Sequence, residues 1–82
     1  MNSQRLEFIR AQMKLSKAQF ARDLGVHPQT YLKWSRGESH MTASAVRLVY
    51  VLYALRNRSP HIYNQVLEWG QEYHSRDQVE HI

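Results

Sequence analysis

Between Leu15 and Glu38 the sequence LSKAQFARDLGVHPQTYLKWSRGE is punctuated so closely that it allows only two short helices meeting at a steep angle. Ser16 is a good helix N-cap, because its side-chain oxygen accepts from an orphan first-turn amide. Gly25 ends that helix by taking the left-handed conformation that a Cβ penalises. Pro28 fits the first position of a second helix, where its missing N–H is not needed, and Gly37 closes that helix after about Ser35. Helices joined by so tight a turn approach closely only if the residue beneath their crossing is small. Ala21 supplies that residue, leaving Phe20, Leu24, Val26, Tyr31 and Trp34 to fill the wedge.

The rest of the chain also reads as helix. No sustained alternation suggests a strand, so the expected class is all-α with five helices. The first runs from about Gln4 to Met13 and turns Leu6, Ile9 and Met13 inward. The fourth starts after the cap Thr42, with Met41 placed to staple onto Val46, and continues to about Asn57. From Ala45 to Leu55 only Arg47 interrupts its apolar and aromatic series, so it needs cover on more than one side. Ser59 and Pro60 restart the chain as cap and first residue of a fifth helix. Its apolar residues fall on two sides: Ile62, Val66 and Tyr73 on one, Tyr63, Leu67 and Gly70 on the other. One domain over residues 1–82 is expected, with the crossed pair at about 16–36, helices four and five at about 42–75 and a frayed tail over 76–82.

Composition narrows the function. The chain of 82 residues has no cysteine, which removes disulfides, thiolate metal sites and thiol nucleophiles. A signal peptide and a membrane span are both unexpected, and a cytoplasmic place follows. Residues 1–41 hold seven Lys and Arg against three Asp and Glu, whereas residues 42–82 hold four of each, so the whole formal charge of +4 belongs to the first half. A basic half suits a polyanion, because each cation seated on a phosphate releases counterions, and it also suits a plain solvated surface.

In Leu15-Ser16, Phe20-Ala21, Leu24-Gly25-Val26, Thr30, Trp34 and Arg36-Gly37, in one ungapped register after a first-helix Leu6, Ile9, Arg10 pattern, the chain resembles the phage repressor and Cro-like helix-turn-helix family, also called the xenobiotic-response-element family. The resemblance covers roughly residues 5–56 and implies a lambda-repressor-like, prokaryotic or phage-encoded regulator that binds double-stranded DNA. By position it assigns base reading to His27, Pro28, Gln29, Leu32 and Lys33, where Gln29 suits adenine and Lys33 suits guanine. It assigns phosphate contacts to Ser16, Lys17, Thr30, Arg36, Ser39 and His40.

Three departures from the family pattern stand out. Lys17 replaces the usual Gln at the start of the second helix. Ser35 replaces the Glu that usually pairs with the first-helix Arg, leaving Arg10 to find another partner or to face DNA. Pro28 removes a flexible side chain from a reading position, shifting weight toward thymine-methyl contacts and DNA shape.

Other chemistries fare less well. His27, His40, His61, His74 and His81 form no i, i+4 pair, and Glu68 with Glu72 lies on a solvated helix face, so no metal, no cofactor and no enzymatic activity are expected. Two readings remain. One is a repressor that binds a palindromic operator as a homodimer, with Tyr63, Leu67, Trp69 and Tyr73 as interface anchors. The other is an antitoxin-like or adaptor module whose main partner is a protein, such as a toxin or polymerase, with DNA binding secondary.

Overall fold

A computed structural model describes the backbone of residues 1–80, with side chains through Gln71. Among the described residues there are five helices and no strand: α1 (Ser3–Met13), α2 (Lys17–Leu24), α3 (Pro28–Ser35), α4 (Ala43–Arg58) and α5 (Pro60–Glu80). Each start has a local chemical cause. Asn2 Oδ1 accepts from the Arg5 amide at 2.8 Å to open α1. Ser16 and Gln19 exchange side-chain-to-backbone hydrogen bonds at 3.1 and 2.9 Å, a reciprocal box that satisfies two first-turn donors of α2. Thr42 Oγ1 caps α4 through the Ala45 amide, and Ser59 Oγ caps α5 through the Ile62 amide.

The ends are equally specific. Gly25 closes α2 at φ +74, as a residue without Cβ can do at no steric cost. Lys14 takes the same left-handed position after α1 at φ 60. The last carbonyls of α1 find donors: Arg56, reaching across from α4, donates Nε to the Met13 carbonyl at 2.7 Å. This contact joins the far end of α4 to the turn between α1 and α2, a link that sequence spacing alone does not reveal.

The core collects Leu6, Ile9 and Met13 from α1, Phe20, Ala21 and Leu24 from α2, Tyr31 and Trp34 from α3, Val49 and Leu52 from α4, and Tyr63 from α5. Ala21 is fully buried, as a small residue at a crossing must be, and the rings of Phe20 and Tyr31 meet edge-on with centroids 5.7 Å apart. Val26 and Met41 pack against this core from its margin.

Two expectations need correction. Tyr63 is not an outward interface anchor: it is 1% exposed, its hydroxyl donates to Asp23 Oδ2 at 2.6 Å, and Arg56 stacks 5.0 Å from its ring centroid. A buried tyrosine is tolerated because its hydroxyl has found an acceptor. Leu67, one turn further on, is half-buried against the same core. The outward apolar positions of α5 are therefore Ile62 and Trp69, at 44% and 56% exposure. Second, α5 continues to Glu80 rather than ending near residue 75, with no glycine or proline after Gly70 to stop it. Residues 81 and 82, and the Tyr73 side chain, lie outside the described parts of the chain.

Candidate nucleic-acid interface

Helix α3 is two-sided in a way its short sequence dictates. Tyr31 and Trp34, three residues apart, point into the core. Gln29, Leu32, Lys33 and Arg36, spaced i, i+3, i+4 and i+7, occupy the opposite side; Leu32 is half-buried and the other three are exposed. Pro28 and Thr30 are exposed at the start of the helix. His27 has a double position, since it is exposed yet its Nδ1 accepts from the Gln29 amide at 3.1 Å as the N-cap of α3. One ring nitrogen is thus committed to the fold.

The sequence-assigned phosphate positions are also exposed: Ser16 and Lys17 at the start of α2, Thr30 on α3, Arg36 at its C-cap, and Ser39 and His40 in the following loop. Ser39 and His40 line a shallow cleft of about 190 Å³ with Asn2, Ser3 and Trp34, which sets this loop against the start of α1. None of α2, α3 and α4 carries an acidic residue in its first turn. No acidic residue of their own therefore offsets the positive dipole ends of these helices, a condition that suits a phosphate at a helix N-terminus.

The partner of Arg10 is Glu7, three residues back on α1. Arg10 Nε and Nη2 donate to the Glu7 carboxylate at 3.2 and 3.4 Å, and Nη1 donates to the Leu15 carbonyl at 2.7 Å. Arg10 is thereby bound into the turn before α2. The same carboxylate accepts from the Tyr31 hydroxyl at 2.6 Å and lies 3.4 Å from Lys17 Nζ. Burial opposes its ionisation, but the hydrogen bonds from Tyr31 and Arg10 and the charges of Arg10 and Lys17 outweigh that and hold Glu7 below the usual carboxylate range. Sequence reasoning passed over Glu7; the i, i+3 spacing to Arg10 was the available signal. Ser35, in place of the usual acid, donates its hydroxyl to the Leu32 carbonyl instead.

Burial, with hydrogen bonds to Glu7 and Asp23, pushes the phenols of Tyr31 and Tyr63 well above the ordinary value. The folded chain then retains protons that the unfolded chain releases above about pH 10. Their contribution to stability is complete below that pH and is lost as pH rises toward the folded values. Tyrosinate absorbance from Tyr31 and Tyr63 is expected to appear together with loss of helical circular dichroism in an alkaline titration. A Tyr31→Phe, Tyr63→Phe double variant should lack that coupled component.

A family model described as Helix-turn-helix matches residues 6–49, from the first core leucine to Val49 within α4. The chain belongs to this family, the Cro, C1 and xenobiotic-response-element type of DNA-binding transcription regulators. The match leaves α5 outside it. No curated protein and no solved structure matches the chain. Among the described residues, no helix is long and apolar enough to cross a membrane.

Proposed function

We propose that the chain is a transcriptional repressor that occupies a palindromic operator as a homodimer, with α3 in the major groove. The observation that carries this reading is the outward side of α3, where Gln29, Lys33 and Arg36 stand clear of the core beside half-buried Leu32. Gln29 and Lys33 read base edges, Pro28 and Leu32 offer apolar contact to thymine methyls, and His27 contributes through Nε2 while its other nitrogen caps the helix. Ser16, Lys17, Thr30, Arg36, Ser39 and His40 hold the phosphates and set the register. Repression then follows from occupying a site that a polymerase needs. The setting is the cytoplasm of a prokaryote.

The dimer is supported by apolar surface that one chain leaves open. Leu48 and Val51 on α4 and Ile62 and Trp69 on α5 are exposed, and Val66 is half-buried between the latter two along α5. A second copy related by a two-fold axis covers this face with itself and sets two α3 helices about 34 Å apart, one turn of DNA. Trp69 remains an anchor. The same surface favours the second reading, a protein-interaction module of antitoxin or adaptor type. Light scattering after size exclusion separates them: the repressor is a stable dimer on its own, whereas the module stays monomeric or aggregates until its partner is supplied.

A salt titration tests the DNA reading. Binding should weaken steeply between 50 and 200 mM salt, as counterion release requires. Lys17→Ala should weaken selected and random duplexes alike and lower the logarithmic salt slope by about 0.9, the loss of one phosphate contact. A slope near zero in the parent protein contradicts the reading.

A further inference from the structure

The carboxylate of Glu7 ties together the three helices that present the DNA face. Its Oε2 accepts from Tyr31 of α3 at 2.6 Å and from Arg10 Nε of α1 at 3.2 Å, while Oε1 lies 3.4 Å from Lys17 Nζ at the first position of α2. The Tyr31 ring is fully buried against Phe20, so its hydroxyl has no freedom to seek another acceptor. Lys17, in contrast, is 47% exposed and free to turn toward solvent or a phosphate. A negative charge in this position is costly for a protein that approaches a polyanion, since it partly neutralises a cation meant for the backbone. A neutral amide would keep one acceptor for Tyr31 and Arg10 Nε but would turn a donor toward Arg10 Nη2 and Lys17 Nζ, so the charge is what holds Lys17.

We infer that Glu7 is a positioning residue that sets sequence discrimination: it withholds part of the Lys17 charge from arbitrary phosphates and pins α3 through Tyr31, so that tight binding requires correct base contacts. The inference rests on the proposed DNA-reading role of α3. The first half acts on random DNA, where only backbone charge matters. The second acts on the operator, where the position of α3 relative to the backbone clamp decides whether Gln29 and Lys33 reach base edges.

Two substitutions in the full chain separate these halves, measured by anisotropy against a duplex selected from a random pool and a random duplex of equal length. Glu7→Gln preserves size and an acceptor for Tyr31 but removes the charge. Random-duplex binding should tighten about threefold, as expected for removing one nearby like charge in water. Its salt slope should steepen by up to about 0.9, and adding Lys17→Gln should abolish both gains. Tyr31→Phe retains the charge and cuts the tie to α3. Affinity for the selected duplex should fall about tenfold, within the range for a lost specific contact, with random binding and slope unchanged.

Circular dichroism of each variant separates these effects from loss of fold, and a Glu68→Gln control at an exposed position of α5, which should leave random binding unchanged, separates the Glu7 effect from a general gain of positive charge. Unchanged or weaker random binding in Glu7→Gln, or unchanged preference in Tyr31→Phe, overturns the inference. A parent protein that prefers no duplex at all instead overturns the DNA-reading role beneath it.

Discussion

Tyr63→Ala is expected to destabilise the domain by about 3–5 kcal/mol, the range for removing a buried aromatic ring. That is a large part of the roughly 5–15 kcal/mol that holds a small domain together. The ring is 1% exposed and is the one fully buried side chain that α5 contributes among the described residues, so its loss leaves a void where α5 meets the rest of the core. Two further groups lose a partner: the Asp23 carboxylate loses the hydroxyl at 2.6 Å, and the Arg56 guanidinium loses the ring it stacks upon. Arg56 also donates to the Met13 carbonyl, so disorder there propagates to the end of α1.

Tyr63→Phe isolates the hydroxyl and should cost only about 1–3 kcal/mol, the penalty for leaving a partly buried acceptor without its donor. Urea unfolding followed by circular dichroism measures both. An alanine variant within 1 kcal/mol of the parent would mean that α5 is not part of the cooperative core.

Lys33→Ala is expected to relax base preference at one position of the half-site by roughly tenfold to a hundredfold while leaving affinity for random DNA nearly unchanged. The side chain is exposed on the outer side of α3, between Gln29 and Arg36, and has no intramolecular ion pair among those found. Its removal therefore costs the fold little. Gln29→Ala should act in the same way at a neighbouring base pair, with adenine as the preferred base. Competition binding against all single-base variants of the selected half-site measures the effect. Equal loss on selected and random DNA would reassign Lys33 to the phosphate backbone.

What the sequence discloses and what it hides follow different physics. Ser16, Gly25, Pro28 and Thr42 act on the backbone within a few residues of themselves, so the helix starts and stops they impose can be read locally. Ala21 is legible for a related reason, because the tight turn that follows forces a close crossing. The partner of Arg10 is harder to read. Glu7 is a near neighbour in sequence, but its importance arises from Tyr31 and Lys17, which reach it only when three helices are assembled.

Helix α5 shows the same limit. Its apolar residues form two stripes, Tyr63 with Leu67 and Ile62 with Val66 and Trp69, and periodicity does not say which faces inward. The decision falls to Asp23 and Arg56, distant in sequence, which give the Tyr63 hydroxyl and ring their partners. Tyr63 belongs to the inward stripe for this reason.

Selection of bound duplexes from a random pool is the most direct test of α3 as the reading element. The pool should converge on a short consensus that recurs in inverted orientation, with the centres of its halves about one helical turn, or 10–10.5 base pairs, apart. A pool that stays as diverse after repeated rounds as at the outset, with the protein folded and binding throughout, would contradict the account.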